Sequence, residues 1–542
     1  MGGKATTDER DGAVLEPGGE DPDGSNQGQG DDGDDGYSSV PLPSASGSGG
    51  SASTPEAEPS PEAGASTGPI LYPTNPFVSV AHDPLSTFAA DVDTASYDLY
   101  RTYTKAGQLP PTSQVRLEEF VNFFEYDYPA PAADAAEPFA IHLEAAPNLV
   151  SRDTTILRVG IQGKVVPPSE KKPANIVFLA DVSGSMSASL PLAQDVIRGT
   201  LGVLDATDSV ALVTYAGNFA TPLPATPVSE TAKIMAAIDT LQSGGGTNGA
   251  GGIAAAYAEA ESAFIEGGIN HIVILTDGDF NIGLSGTQEL EELVIEKRKS
   301  GITLTVLGFG FGNTNDDMME HISRSGNGIY GYIGNKADAE NYVAERMLQS
   351  LQHIAKDVKL QVEFNPAYVY AYRLLGYEDR SIADEDFRND VVDAGEIGSG
   401  HRVTALYELA FQKSDLPSED GAPMLEDGPD FTAGPEVQAE DLVLVKVRYK
   451  APGATEADPA REVSASLTPS SVHNGLAETS GDFAWAVAVA SYAEVLKQSP
   501  YADPDKLDSM ALIFEAQAQH DEDRAEFKAL FDAARPLLNA RP

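Results

Sequence analysis

Five side chains with oxygen donors follow or lie between apolar runs of this sequence, and together they could hold a metal ion. They are Asp181, Ser183, Ser185, Thr247 and Asp277. The first three follow the run NIVFLA, the fourth lies in the Gly-rich stretch SGGGTNG, and the last follows the run HIVILT. Hydroxyl groups with one or two carboxylates suit Mg²⁺, Mn²⁺ or Ca²⁺, which prefer hard oxygen ligands. Histidine and cysteine are absent from the set, which disfavours zinc.

The elements that must position these loops alternate between strand and helix over residues 173–353. Short apolar runs such as NIVFLAD, SVALVTYA, HIVILTD and ITLTVLGFG are separated by helical stretches such as LPLAQDVIRGTLGVL and QELEELVIEKRK. Continuous apolar strands between helices are typical of a doubly wound α/β fold, a parallel sheet covered on both faces. Ligands of such folds bind at the carboxyl ends of the strands. We therefore expect the three loops to meet at one edge of the sheet.

The strings DVSGSM, SGGGTNG and TDGD, in this order, resemble the metal-ion-dependent adhesion site of von Willebrand factor A domains. The resemblance implies that the three hydroxyl side chains coordinate Mg²⁺ or Mn²⁺. It also implies that Asp181 and Asp277 contact the ion directly or through water, with Asp279 as a weaker candidate. Because few carboxylates then touch the ion, it stays electrophilic and its open position attracts an Asp or Glu carboxylate of a protein partner.

The resemblance extends beyond the central domain. NPFVSV, DVDTASYDLYRTYTKAG, RLLGYEDRSIADEDF and DAGEIGSGHRVTALYEL are similar to a family of bacterial envelope proteins. Those proteins place an A domain between a characteristic N-terminal region and a C-terminal domain of unknown function, often behind a lipoprotein signal. The resemblance implies a location in the bacterial cell envelope or outside the cell, and we expect that an N-terminal signal or lipid anchor has been removed.

The flanks of the central domain differ in pattern. Residues 1–70 are rich in Gly, Ser, Pro, Asp and Glu, which predicts a disordered acidic tether. Residues 73–165 predict helices and then strands, residues 356–475 predict a β-rich region, and residues 478–540 predict helices. Alternating stretches such as TILRVGIQG and LVLVKVRY lie on both sides of the centre. We therefore expect the central domain to be inserted into a β-sandwich-like module whose strands come from both flanks.

Composition excludes several classes of function. With 35 basic and 83 acidic residues the formal charge is -48, which argues against binding to nucleic acid or to an anionic membrane surface. The absence of cysteine excludes disulfides, thiolate zinc sites and cysteine nucleophiles. The sequence contains no apolar run of about 18 residues, so no direct membrane insertion is predicted.

Enzyme motifs are incomplete in this sequence. SGGGTNGAGG lacks the lysine of a phosphate-binding P-loop, and Ser183 lies in no GxSxG elbow. DVDTAS resembles the DxDxT pair of haloacid dehalogenase-type phosphatases, but position 95 is alanine, so Asp93 is interpreted as a helix N-cap. His401 is expected to make a structural hydrogen bond. Asp386, Asp390 and Glu396 could bind calcium, although a solvated acidic loop is the default interpretation.

These observations predict metal-dependent adhesion or protein assembly and no enzymatic activity. The competing hypothesis is an envelope scaffold or stress-related interaction protein whose metal site is degenerate or occupied internally by an acidic residue of a flanking region. A hydrolase is the third class. A carboxylate from outside residues 173–353 at the metal site would favour the scaffold, and turnover that a chelator abolishes would favour the hydrolase.

Overall fold

The computed structural model describes seven stretches of this 542-residue chain. They are residues 74–132, 134–151, 153–278, 287–310, 316–417, 435–454 and 458–540. The tether predicted over residues 1–70 and the candidate ligand Asp279 lie outside them. Within the described part of the chain, the helices are all too short or too polar to span a membrane.

Sixteen strands occur in the described residues. In chain order they are β1 (Val78–Ser79), β2 (Leu85–Ala89), β3 (Phe139–Pro147), β4 (Thr155–Gly163), β5 (Ala174–Asp181), β6 (Ser209–Tyr215), β7 (Phe219–Pro227), β8 (Ile269–Thr276), β9 (Thr303–Phe309), β10 (Tyr330–Ile333), β11 (His353–Phe364), β12 (Ala371–Leu375), β13 (Gly395–Gly398), β14 (Arg402–Ala410), β15 (Val443–Lys450) and β16 (Arg461–Leu467).

The same stretches contain twelve α-helices. They are α1 (Ala95–Lys105), α2 (Leu117–Asn122), α3 (Leu190–Thr200), α4 (Thr231–Asp239), α5 (Gly249–Ser262), α6 (Thr287–Arg298), α7 (Asp316–Ser325), α8 (Lys336–Asn341), α9 (Met347–Leu351), α10 (Gly481–Lys497), α11 (Leu507–Gln517) and α12 (Glu522–Asn539). Helices α8 and α9 are joined without a break by the wider π-helical turn Tyr342–Arg346.

The central sheet has the strand order β10-β9-β8-β5-β6-β7. All its neighbours are parallel except β6 and β7. Every residue of β5 and β8 is buried, which explains their continuous apolar runs. Helices α3, α4, α8 and α9 pack on one face, and α5, α6 and α7 pack on the other. The predicted doubly wound α/β domain is confirmed.

The sequence pattern of β7 does not predict a strand. Its residues FATPLPATP include three prolines and are mostly exposed, a pattern more typical of a loop. It pairs antiparallel with β6 at the edge of the sheet, where a proline disrupts fewer backbone hydrogen bonds. Prolines at an exposed edge also discourage pairing with another chain.

Two further sheets enclose a second core. One has the order β1-β12-β14-β4-β3, and the other has the order β13-β11-β15-β16 with β2 also paired to β11. Strands β1 to β4 precede the central domain and β11 to β16 follow it, so each sheet draws on both flanks. Their facing side chains form one apolar cluster, which includes Val159, Leu360, Tyr407 and Val445. The predicted insertion of the central domain into a shared β-module is confirmed.

A helical layer joins the two ends of the described chain. Helices α1 and α2 pack with α10, α11 and α12 around a cluster of aromatic side chains. Trp485 is fully buried there, with its ring 5.1 Å from that of Phe124 and 5.4 Å from that of Phe527. Helix α1 also touches β10 and contributes Ala95 and Leu99 to the core of the central domain. The N-terminal helices therefore contact both the central sheet and the C-terminal helices.

Two buried arginines, one from each flank, hold helix α7 of the central domain. Arg116 lies just before α2 and donates to Asp316 Oδ2 at 3.2 Å. Arg380 lies after β12 and donates to Glu320 Oε1 at 3.3 Å, while Glu320 also pairs with Arg116. The exposed fractions of Arg116, Arg380 and Glu320 are only 4%, 6% and 2%. These ion pairs fix the orientation of the central domain against both flanks.

The DVDTAS segment belongs to the same network. Asp93 Oδ1 accepts a hydrogen bond from the backbone N–H of Tyr330 at 2.9 Å, and its Oδ2 accepts one from Arg380 at 3.1 Å. Asp91 Oδ2 accepts from Arg380 Nε at 3.1 Å. The residue before α1 is Thr94, and its side chain makes no capping hydrogen bond. The prediction that Asp93 caps this helix is therefore wrong, because a distant arginine and a strand N–H bind its carboxylate instead.

Glu118 predicts a dependence of stability on pH. It is buried in α2 and its Oε2 has no hydrogen-bond partner. Burial, with the charges of Glu378 and Asp379, raises the pKa of Glu118 to about 8. A carboxyl whose folded-state pKa lies above its unfolded value contributes stability that is fully present below about pH 4.5 and is lost as pH rises through about 8. Glu118→Gln keeps the neutral form at every pH.

We therefore expect Glu118→Gln to stabilise the protein by roughly 1–3 kcal/mol more at pH 8.5 than at pH 5.5. Urea unfolding at both pH values measures the difference. Glu515→Gln removes the same charge from a side chain that is 71% exposed and should change stability at neither pH. A gain from Glu118→Gln that is equal at both pH values would contradict the assignment.

Candidate metal centre

The carboxyl ends of β5, β6 and β8 bring the predicted ligands to one edge of the central sheet. Asp181 is the last residue of β5 and lies beside Tyr215, the last residue of β6. Asp277 directly follows β8, the strand on the other side of β5. The side chains of Asp181, Ser183, Thr247 and Asp277 are buried, whereas Ser185 is exposed. Four of the five side chains are thus buried at the edge of the sheet, and the Ser185 hydroxyl is exposed to solvent.

Hydrogen bonds hold Asp181 in one orientation. Its Oδ1 accepts from the backbone N–H of Ser183 at 2.8 Å, and its Oδ2 accepts from Thr276 Oγ1 at 3.1 Å. The hydroxyls of Ser183 and Ser185 lie 2.9 Å apart. The loop of the Asp-x-Ser-x-Ser motif therefore turns back on itself, so that the carboxylate and both hydroxyls are next to one another.

Thr276 and Tyr215 are site residues that sequence reasoning missed. The Tyr215 hydroxyl donates to Thr276 Oγ1 at 2.9 Å, and Thr276 in turn donates to Asp181. This chain of donors orients the carboxylate from the side opposite Ser183. Both residues are the last of their strands, and only the pairing of β5 with its two neighbours places them beside Asp181.

Backbone contacts position the Gly-rich loop against the first one. Gly244 N–H donates to Val182 O at 2.7 Å, and Gly184 N–H donates to Gly245 O at 3.3 Å. Gly245 has a φ of 91°, which other residues rarely adopt. Thr247 follows at the end of this loop, immediately before the Asn248 cap of α5. The three predicted loops therefore converge.

The electrostatics of the site favour a cation. Burial raises the pKa of Asp181 to about 6, and the nearby charge of Asp277 contributes to the rise. A divalent ion between the two aspartates would offset both the loss of hydration and their repulsion. The donor set of hydroxyl and carboxylate oxygens fits Mg²⁺ or Mn²⁺. The residues present therefore suit the ion, while the assignment of the five as its ligands stays a prediction.

The remaining candidates have structural partners. The Ser183 hydroxyl lies 2.9 Å from that of Ser185 and also hydrogen-bonds to the Asp181 carboxylate. His401 Nδ1 accepts from the backbone N–H of Gly398 at 3.1 Å, and burial lowers the pKa of His401 to about 3. The structural hydrogen bond predicted for His401 is confirmed.

The acidic residues proposed for calcium do not form one group. Asp390 is bound by Arg448 at 2.7 Å, and Asp386 Oδ1 accepts from Asn389. Glu396 instead lies with Asp357 and Asp393, their oxygens within 4.8 Å of one another. Lys450 pairs with Asp357 at 3.1 Å, and Arg298 pairs with Asp393. Protein cations therefore already balance much of this charge.

Comparison with known families covers most of the described chain. The von Willebrand factor type A domain matches residues 175–352. A family described as von Willebrand factor matches residues 71–158, and one described as Uncharacterized protein YfbK, C-terminal, matches residues 349–537. Uncharacterized protein YfbK of Escherichia coli (strain K12) is 40% identical over 436 residues, which are 79% of this chain and 73% of that protein.

The chain belongs to the YfbK family. The predicted membership of a bacterial family that carries a von Willebrand factor A domain is therefore confirmed. In this family member the A domain lies between the N-terminal region and the YfbK C-terminal domain, and the A-domain match contains all five predicted ligands.

Two solved structures are distantly similar to this chain. A von Willebrand factor type A protein from Catenulispora acidiphila is 15% identical, with a TM-score of 0.43, and the match covers 75% of this chain and 91% of that one. The ArnB paralog VWA2 from Sulfolobus acidocaldarius is 11% identical, with a TM-score of 0.36 and coverages of 74% and 98%. Both are too distant to bear on function.

Proposed function

We propose that this protein is a non-enzymatic interaction module that binds a protein partner through a divalent metal ion. Ser183, Ser185 and Thr247 offer hydroxyls to Mg²⁺ or Mn²⁺, and Asp181 and Asp277 supply the negative charge. The bound ion offers an open position to an Asp or Glu carboxylate of the partner. The proposed setting is the bacterial envelope, as the sequence resemblance implies.

The observation that carries the proposal is the preorganisation of the site. Asp181 is held by a backbone N–H and by Thr276, so its carboxylate needs no rearrangement to face a cation. Ser185 is exposed, which leaves the ion side of the site open to solvent and to a partner. Hydrogen bonds of Asp181, Ser183 and Ser185 run to residues of the central domain itself, which favours an open site over one occupied by a flanking region.

The surface around the site suits an approaching carboxylate. Its exposed residues in the described loops are all uncharged, although the whole chain carries a formal charge of -48. They are Gly184, Ser185, Ser187, Ala188, Gly217, Asn218, Phe219, Ser243, Gly244, Gly245 and Gly246. A partner carboxylate therefore meets no exposed acidic side chain among them. Phe219, which is 55% exposed and pairs with Tyr215 at the sheet edge, provides an aromatic contact of the kind enriched at protein interfaces.

Calorimetric titration with MnCl₂ and MgCl₂ tests the metal step. We expect saturable binding by the wild-type chain and a loss of affinity of roughly 10-fold to 100-fold or more in Asp181→Ala and Ser183→Ala. Asp239→Ala, which removes a carboxylate that is 63% exposed on α4, should bind like the wild type. Unchanged binding in both site variants would place the ion elsewhere. A wild-type chain that binds neither ion would refute the proposal.

The partner step has its own probe. Acetate, the simplest carboxylate, should displace water from the Mn²⁺-loaded protein and reduce the relaxation enhancement of water protons. Acetamide has a similar size without the charge and should have no such effect at the same concentration. An equal response to acetate and acetamide, or none to either, would show that the ion offers no position to a carboxylate.

A further inference from the structure

A second site lies away from the metal centre, between helix α10 and the sheet that contains β4, β12 and β14. It is a cavity of about 380 Å³. Its walls include Ile156, Leu375 and Leu406 from the sheet and Val487 and Ala490 from α10. The outer faces of three neighbouring strands and one face of a long helix thus provide apolar walls, and the lining also includes polar side chains such as Asn148 and Ser491.

The side-chain periodicity of strand and helix explains how charged side chains reach this cavity. Glu408 lies two residues after Leu406 on the same face of β14, and Arg373 is its partner across the β12–β14 pair. Glu494 lies seven residues after Val487 and four after Ala490, on the same face of α10. The cavity therefore has one guanidinium among its lining groups and three carboxylates, those of Glu408, Glu494 and Asp503.

The carboxylates of Glu408 and Glu494 share one arginine, but only that of Glu408 has hydrogen-bond partners for both oxygens. Arg373 donates to Glu408 Oε2 at 2.8 Å and to Glu494 Oε1 at 2.8 Å. Glu408 Oε1 accepts further hydrogen bonds from Asn148 at 2.9 Å and Thr154 at 2.7 Å. Glu494 is 5% exposed, and its Oε2 is buried without a hydrogen-bond partner. The group keeps a net charge of -1 and one free acceptor.

A small organic cation supplies what this arrangement lacks. An ammonium group brings both the missing positive charge and N–H donors for Glu494 Oε2, and a short alkyl body fits the apolar walls. A divalent metal ion is disfavoured, because one free carboxylate oxygen beside a guanidinium cannot provide its oxygen ligands. An anion is disfavoured by the net negative charge, to which Asp503 in the cavity lining adds.

We propose that this cavity binds a primary ammonium compound with a short apolar body and that Glu494 is its counter-ion. The probe is n-butylammonium, with 1-butanol as an uncharged molecule of the same shape. Binding to the full chain is measured by saturation-transfer NMR in phosphate buffer, because Tris is itself a primary ammonium ion. EDTA is present throughout, so the outcome does not depend on the metal centre.

The wild-type chain should bind n-butylammonium saturably, and 1-butanol at least 10-fold more weakly. Glu494→Gln keeps an acceptor for Arg373 but removes the charge, and Ala490→Leu fills the cavity without changing a charge. Both should weaken n-butylammonium binding at least 10-fold. Glu515→Gln, which removes a charge from the exposed surface of α11, should bind like the wild type.

Circular dichroism confirms that each variant is folded before it is titrated. The proposal is overturned if the wild-type chain shows no saturable binding of n-butylammonium. It is equally overturned if a folded Glu494→Gln or Ala490→Leu variant binds n-butylammonium as the wild type does, or if 1-butanol binds as well as the cation.

Discussion

Arg380→Met should lower the free energy of unfolding by about 3–5 kcal/mol at pH 7.5, because it leaves buried carboxylates without their counter-charge. The arginine pairs with Asp91 and Asp93 from the N-terminal region and with Glu320 from the central domain. The side chains of these partners are 5% exposed or less, so water cannot replace the lost guanidinium. Urea unfolding followed by circular dichroism and by the fluorescence of the single tryptophan measures the loss.

The loss should shrink as the pH falls. Burial, with the charge of Asp91, raises the pKa of Asp93 to about 7 even with Arg380 in place. Removal of the arginine favours the protonated form further, and a protonated carboxyl needs no counter-charge. The difference in unfolding free energy between wild type and Arg380→Met should therefore be smaller at pH 5.5 than at pH 8.

Arg388→Met is the matched control, because Arg388 also pairs with two carboxylates but its side chain is 51% exposed. Its ion pairs to Glu436 and Glu462 are screened by solvent, and their loss should cost less than about 1 kcal/mol. Equal losses in the two methionine variants would show that burial of the Arg380 network does not contribute to stability as argued.

Trp485→Ala should destabilise the protein by about 3–5 kcal/mol, because it opens a large cavity in the helical layer. The indole is fully buried and lies 5.1 Å from the ring of Phe124 and 5.2 Å from that of Phe514. Arg524 lies 5.1 Å from its ring centre. The residue therefore connects N-terminal and C-terminal segments, and urea unfolding followed by circular dichroism should show an earlier transition.

Trp485→Phe separates packing from hydrogen bonding. The indole Nε1 is buried without a hydrogen-bond partner, so phenylalanine forfeits no hydrogen bond and leaves a much smaller cavity. Its cost should be less than half that of the alanine variant. If the phenylalanine variant is as unstable as the alanine variant, the contribution of Trp485 does not come from filling the aromatic cluster.

The long-range contacts explain why the described residues of the two flanks and the central domain form one compact unit. Arg116 and Arg380 approach α7 from opposite flanks in sequence, and α1 packs on β10. A displacement of α7 would therefore alter its ion pairs with the N-terminal region and with the segment after β12. These contacts link the von Willebrand factor A domain directly to both flanks.

Local sequence patterns predicted the helices and strands in which apolar residues recur at regular spacing. The apolar run of β5 is buried at every position, and the alternating stretches of β4 and β15 became strands of the shared module. Strand β7 departs from this rule, because its exposure and prolines remove the apolar periodicity on which such a prediction depends. Asp93 was misinterpreted for a related reason, since a helix-capping pattern is local whereas its actual partner lies 287 positions away.

At the candidate metal centre, the sequence by itself determined the loop that carries Asp181, Ser183 and Ser185, because their spacing and the preceding apolar strand are local features. Only the tertiary structure decided that Thr276 and Tyr215 orient Asp181, since that depends on which strands flank β5. The same holds for the network of Arg380 and for the unpartnered oxygen of Glu494. Side-chain periodicity acts over a few residues, whereas charge pairing in a core is set by the order in which strands and helices pack.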